Sequence, residues 1–133
     1  MPTPHERLRE VGIELPAAPP PAANYVPTVS VPLGEGRVMV YVAGQIPRQA
    51  DGSFHTGRIP SEVSVEDGKA AARSCAVAIL AQLEADGGLS LVPHVARLTG
   101  LSQCPPGFGP RPGCVPRARA TRGERDECTG RNR

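Results

Sequence analysis

Residues 26–43 read VPTVSVPLGEGRVMVYVA. Two β-branched runs, 26–31 and 37–43, flank a short segment that contains two glycines. Short β-branched runs separated by a glycine-containing turn are typical of a β-hairpin. In the second run, valines occupy every other position, so they share one face of the strand. The sequence therefore predicts a hairpin with one valine-rich face for a core.

The longest predicted helix follows this hairpin. Ser64 and Asp67 have the spacing of an N-terminal cap, and the pair Gly87-Gly88 ends the helix. Apolar residues recur at helical spacing between these ends: Ala72, Cys75, Ala76, Ile79, Leu80 and Leu83. Four polar residues lie off this stripe: Arg73, Gln82, Glu84 and Asp86. We expect the stripe to cover the sheet and Cys75 to be a small buried core residue.

Other segments complete the predicted order of elements. Thr3, Pro4 and Glu6 form a capping box for a short helix that ends near Gly12. The proline-rich residues 16–23 form a semi-rigid extended strap. Residues 92–101 alternate in polarity and predict a third strand. The predicted fold class is α+β, with a sheet backed by helices in the order β-β-α-β.

Composition divides the chain into three parts. Of the 28 Leu, Ile, Val and Phe residues, 26 precede residue 104, whereas the last 30 residues hold seven arginines, five prolines and five glycines. Such a segment buries too little apolar surface to offset the entropy of ordering. We expect a short helix and strap over 1–23, a partial domain over 24–103, and a disordered tail over 104–133.

Several partners and compartments are disfavoured by the sequence. A formal net charge of +2 argues against nucleic acid or an anionic membrane as the main partner. The chain has no apolar run of about 18 residues and no signal-peptide pattern at its start, which favours the cytoplasm. Cys104, Cys114 and Cys128 form no C-x-x-C pair, so we expect no metal and assign no cofactor.

Three short strings, taken in order, resemble one family. They are Ala23-Asn24-Tyr25-Val26-Pro27, Val42-Ala43-Gly44-Gln45-Ile46-Pro47 and Val95-Ala96-Arg97-Leu98-Thr99-Gly100. Together they resemble the RidA (YjgF) family, in its longer branch named endoribonuclease L-PSP/chorismate mutase-like. The resemblance covers about residues 5–103. It implies a chorismate mutase-like sheet, a homotrimer if the sheet is complete, and a ligand cleft between subunits.

The resemblance also implies substrate-binding residues and an activity. Tyr25 matches the family's cleft tyrosine, although it can equally anchor the first strand. Gly44 and Gln45 match the family's S-G-Q signature with Ala43 in place of serine, and Gly44 can instead serve a tight bend. Many members of the family hydrolyse reactive enamines or imines to a keto acid and ammonia. An imino or keto acid is therefore the implied small-molecule partner.

Catalytic residues are not assigned. Hydrolysis of a 2-imino acid requires a cation that holds the carboxylate, and arginine suits this task. In the family an arginine and a glutamate on late strands serve the reaction, and neither has a matching position in this sequence. Arg119, in Ala118-Arg119-Ala120, resembles the arginine motif only weakly. We expect a truncated or frame-shifted chain that is weak or inactive. His5, His55 and His94 are scattered, and we expect them to be solvated.

Three functions stay open. The first is a RidA-type imine or enamine deaminase. The second is a non-catalytic small-molecule-binding or assembly subunit of the same fold. The third, a ribonuclease, is disfavoured by the near-neutral charge and the scarcity of aromatic residues.

Overall fold

The computed structural model describes residues 1–106. In chain order the elements are α1 (Pro4–Glu10), β1 (Thr28–Gly34), β2 (Arg37–Val42), α2 (Val65–Asp86) and a short 3₁₀ turn (Leu89–Leu91). The predicted α+β class is confirmed. Most of the predicted tail, with Cys114, Arg119 and Cys128, lies outside the described residues.

The hairpin forms as predicted, with shifted ends. β1 and β2 pair in an antiparallel two-stranded sheet, with Val31 opposite Met39. β1 runs from Thr28 to Gly34 instead of over residues 26–31, and its pairing is irregular between Pro32 and Gly34. The Pro27 carbonyl accepts from the Ala43 amide, but Pro27 has no amide hydrogen to donate in return, so regular pairing begins at Thr28. The turn uses positive φ angles, including 54° at Glu35.

The third strand predicted over residues 92–101 is wrong. Within residues 1–106 the sheet contains only β1 and β2, and residues 92–106 follow the 3₁₀ turn without regular structure. Alternating polarity stabilises a strand only where a neighbouring strand accepts its backbone hydrogen bonds. Pro93 also removes one amide donor from this segment. Val95 is 55% exposed, so this apolar side chain of the alternating pattern is not packed into a core.

The ends of α2 are those that its sequence indicates. The Asp67 amide donates to Ser64 Oγ at 3.0 Å, and the Ser64 hydroxyl donates to the Asp67 carboxylate at 2.6 Å. At the other end the Gly87 and Gly88 amides both donate to the Leu83 carbonyl. Cys75 is half-buried instead of fully buried, and burial raises the pKa of its thiol.

The chain forms two compact units. The first unit comprises residues 1–45 and 76–97, and the second comprises residues 46–75 with the described residues from 98 onward. Leu8, Ala81 and Leu89 are the buried apolar residues of the first unit, and Gln82 is buried with them. In the first unit, α1 lies against the 3₁₀ turn.

The second unit contains an ordered loop. Arg48 and Phe54 form an isolated antiparallel bridge, and the Arg48 guanidinium lies 5.0 Å from the centre of the Phe54 ring. The Asp51-Gly52 dipeptide, a sequence typical of turns, forms a turn in which Asp51 Oδ1 accepts from the Ser53 hydroxyl at 2.6 Å and from the Ser53 amide at 2.9 Å. These bonds lower the pKa of Asp51. Ile59 is the buried apolar residue of this unit.

Candidate functional site

The predicted site residues lie at the open end of the hairpin. The last strand pair joins Thr28 to Val42, and one step beyond it the Ala43 amide donates to the Pro27 carbonyl at 2.8 Å. Tyr25 precedes Pro27 by two residues, and Gln45 follows Ala43 by two. Because the strands are antiparallel, both residues leave the sheet at the same end.

Tyr25 has a defined environment at this end. Its side chain is partly exposed, and its Oη accepts from the Ala22 amide at 3.2 Å. Its own amide donates to the Ala23 carbonyl at 2.9 Å. The phenol is therefore held against the proline-rich strap and still reaches solvent. This geometry is compatible with a ligand contact as well as with an anchoring role.

Gly44 and Gln45 differ in how far their surroundings restrict them. A Cβ placed on Gly44 would meet no atom within 4 Å, and the backbone there is not left-handed. The described residues of the chain therefore do not require glycine at this position. The half-buried Gln45 turns back on its own backbone, donating from Nε2 to the Ala43 carbonyl at 3.0 Å.

Sequence reasoning missed two polar groups at this end. The Thr28 hydroxyl donates to the Asp86 carboxylate at 2.7 Å. Asp86 belongs to the last turn of α2, 58 residues away along the chain. Its position off the apolar stripe was the available signal, but that position alone does not identify a partner. A phenol, an amide, a hydroxyl and a carboxylate thus lie on segments that meet this end of the hairpin, and such groups suit a small polar ligand.

The open end of the hairpin is not an enclosed pocket. Shallow depressions in the described part of the chain lie on α1 and beside Arg58 and Cys104. Neither depression is lined by Tyr25, Gly44 or Gln45. Residues 1–106 contain no cluster of three or more His, Cys, Asp or Glu side chains that could hold a metal ion. None of the helices in this range has the length and apolar character of a membrane span.

His5 was predicted to be solvated, and its side chain is 43% exposed, but it also has a partner on α2. Its Nε2 lies 3.1 Å from Glu84 Oε1, so it connects α1 to α2. The Leu89 amide donates to the other Glu84 oxygen at 2.8 Å. The Leu89 bond lowers the pKa of the Glu84 carboxyl; desolvation partly opposes this, and the contact with His5 lowers the pKa further. His94 is exposed as predicted, and His55 is half-buried.

Comparison of the chain with solved structures shows its family. The crystal structure of Atu1372 from Agrobacterium tumefaciens, a protein with unknown function, superposes with a TM-score of 0.67 and is 34% identical. The match covers 86% of this chain and 68% of Atu1372. The chain belongs to the Atu1372 family.

Two further proteins are similar to this member of the Atu1372 family. Protein TCP17 of Trypanosoma cruzi is 36% identical over 102 residues, which are 76% of this chain. The chain spans only 61% of the length of TCP17. The crystal structure of a "putative endoribonuclease" from Shewanella oneidensis has a TM-score of 0.56 and 30% identity, covering 65% of this chain and 54% of that protein. No protein-family model matches the chain.

Proposed function

We propose that this protein has the RidA-type fold and binds small 2-keto or 2-imino acids at the open end of the hairpin. Similarity to a protein described as an endoribonuclease supports this fold at a coarse level. The observation that supports the proposal is that the segments carrying Tyr25 and Gln45 both continue from the same end of the hairpin, as expected for a shared ligand cleft. Thr28 and Asp86 add a hydroxyl and a carboxylate there.

The proposed reaction is hydrolysis of a 2-imino acid. Water adds to the imine carbon, and the C–N bond then breaks, so R–C(=NH)–COO⁻ and H₂O give R–C(=O)–COO⁻ and NH₃. A carboxylate or phenol can hold the attacking water or move its proton, and a cation must hold the substrate carboxylate. Arg119, the one echo of the family's arginine motif, lies outside the described residues. No position in the sequence matches the family's late arginine and glutamate, so we propose that this chain turns over a 2-imino acid weakly or not at all.

The test uses a 2-imino acid generated freshly by an amino acid oxidase in the presence of the purified protein. Formation of keto acid and ammonia faster than in buffer supports deaminase activity. Loss of the excess rate in Tyr25→Phe and in Gln45→Ala would assign that activity to the hairpin end. Equal rates with and without protein count against the deaminase.

The alternative function is a non-catalytic binding or assembly subunit. It gains support if pyruvate binds, measured by calorimetry, while imine hydrolysis does not accelerate. The ribonuclease function has one supporting observation, the description of the Shewanella oneidensis protein. RNA that stays uncleaved and unbound at low salt would exclude it, because non-specific binding is strongest under that condition.

We also propose that a second copy of the chain covers one face of the hairpin. Val29 and Val31 share this face with their partners Tyr41 and Met39, and it is the more exposed face of the sheet. Tyr41 is 63% exposed, which is unusual for a large side chain flanked by valines. A homotrimer, as the RidA resemblance implies, would bury this face. A monomer in light scattering would contradict the proposal.

A further inference from the structure

Gln82 is the buried polar residue among the described residues. The residue is 5% exposed, on a helix whose other buried residues are Gly68 and Ala81. Burying an uncharged amide costs free energy unless its hydrogen bonds are satisfied. Gln82 Nε2 donates to the Pro19 carbonyl at 2.7 Å, across 63 residues of sequence. An apolar residue could fill this buried site at a lower cost in desolvation free energy. The presence of glutamine here therefore points to a role for its hydrogen bond to the strap.

The strap can transmit this constraint. Pro19 is followed directly by Pro20 and Pro21. Each proline ring locks its φ angle near −65°, so a run of prolines is stiff over several residues. Fixing the Pro19 carbonyl therefore restricts the position of Ala22, which directly follows Pro21.

Ala22 is the residue that holds the Tyr25 phenol. Its amide donates to Tyr25 Oη at 3.2 Å. The Tyr25 amide in turn donates to the Ala23 carbonyl at 2.9 Å, which closes a tight turn. A continuous path of two side-chain hydrogen bonds and three prolines thus runs from the helix to the phenol. No glycine interrupts it.

We propose that Gln82 is a positioning residue for Tyr25: it fixes the strap, and the strap fixes the phenol at the open end of the hairpin. Gln82 itself does not contact the ligand. This inference rests on the proposed function in one respect, the role of Tyr25 as a ligand contact. Its structural part stands independently of that role.

The first experiment observes the tyrosine in the absence of ligand. The chain has two tyrosines, Tyr25 and Tyr41, so fluorotyrosine labelling gives two ¹⁹F signals. Gln82→Met keeps the length of the side chain and removes the donor. We expect the Tyr25 signal to move towards that of the unfolded chain while the Tyr41 signal stays unchanged. An unchanged Tyr25 signal, or equal displacement of both signals, would overturn the proposal.

Two further variants guard against misfolding and non-specific effects. Gln49→Met makes the same chemical change at an exposed glutamine and should leave both signals unchanged. Ala22→Pro removes the amide that reaches Tyr25, and the segment before it is already proline-rich. It should reproduce the Tyr25 displacement with Gln82 intact. If Ala22→Pro leaves the Tyr25 signal unchanged, the path from the strap to the phenol is wrong.

The second experiment measures binding of pyruvate by calorimetry in a double-mutant cycle. Gln82→Met and Tyr25→Phe should each weaken binding by about fivefold, the effect of one hydrogen bond. The double variant should bind no more weakly than Tyr25→Phe alone, because Gln82 acts through Tyr25. If the double variant weakens pyruvate binding by the product of the two single effects, the inference is overturned. If the unaltered protein does not bind pyruvate, the proposed function fails, and the ¹⁹F result still decides whether Gln82 positions Tyr25.

Discussion

Gly57 has a backbone φ of 130°, a conformation that other L-residues rarely adopt. A Cβ there would collide with Cγ2 of Val63 and come within 3.3 Å of the Glu62 Cβ. Gly52, with φ of 87°, has no atom within 4 Å of its Cβ position. The two glycines therefore separate the effect of backbone conformation from the effect of crowding.

We expect Gly52→Ala to lower the free energy of unfolding by about 1 kcal/mol through backbone strain alone. Gly57→Ala should cost about 1 to 3 kcal/mol more, because the new methyl group overpacks against Val63. Urea denaturation of both variants measures the difference. Equal losses would show that the Val63 side chain yields without cost.

Glu84 predicts a pH dependence at the same scale. Its hydrogen bond from the Leu89 amide, with His5 adding to the effect, lowers its pKa below the ordinary value of 4.5. A carboxyl group with a lowered pKa in the folded state contributes stability above its unfolded value, and that contribution is lost as the pH falls through the folded value. Wild type should therefore be more stable than Glu84→Gln at pH 7, and this advantage should decline below pH 4.5.

Thermal unfolding from pH 7 to pH 3 measures this effect. Glu10→Gln, a change at an exposed carboxyl on α1, is the matched control and should show no such decline. A difference between wild type and Glu84→Gln that stays constant over the whole range would contradict the assignment.

At the scale of elements, α1 depends on its cap. The Glu6 amide donates to Thr3 Oγ1 at 3.2 Å, and the Thr3 amide donates back to the Glu6 carboxylate at 2.6 Å. The helix has only seven residues, and isolated helices of that length are not stable in water. The capping box and the packing of the buried Leu8 side chain therefore hold it in place.

Thr3→Ala should destabilise α1 by about 1 kcal/mol, because the Glu6 amide loses its side-chain acceptor. Hydrogen exchange of the α1 amides should then be about fivefold faster, with α2 unaffected. Thr56→Ala, at an exposed threonine in the second unit, is the control. Unchanged exchange in Thr3→Ala would mean that tertiary packing alone maintains the helix.

At the scale of the whole molecule, the described part of the chain exposes more large apolar residues than it buries. Only Leu8, Ile59, Ala81 and Leu89 are buried apolar residues among residues 1–106. A sheet of two strands is marginally stable unless its faces are covered. This imbalance is the physical reason for proposing that copies of the chain associate through the hairpin.

Val31→Lys tests this association on the more exposed face of the hairpin. A charge buried in an interface without a partner is costly, so the variant should shift the protein towards monomer in sedimentation velocity. Val38→Lys is the matched control, because Val38 lies on the opposite face of the same hairpin and is 53% exposed. We expect Val38→Lys to leave the association state unchanged. Equal effects of the two lysines would contradict an interface on the Val31 face.

The sequence by itself determined the features that depend on neighbouring residues. The α1 capping box, the glycine-bounded α2 and the Asp51-Gly52 turn each result from hydrogen bonds or backbone freedom within a few positions. Because these interactions are local, their patterns can be recognised without knowing the fold. The placement of Tyr25 and Gln45 at the same end of the hairpin follows from the strand pairing, which is also local.

Only the tertiary structure decided which distant groups meet. Gln82, Glu84 and Asp86 all lie off the apolar stripe of α2, yet each contacts a different part of the N-terminal region: Pro19, His5 and Thr28. Helical periodicity predicts which side chains of α2 lie outside the apolar stripe, but it does not predict which segment of the chain packs against those side chains. The same reason explains residues 92–101, whose alternating pattern was necessary for a strand but had no neighbouring strand to pair with.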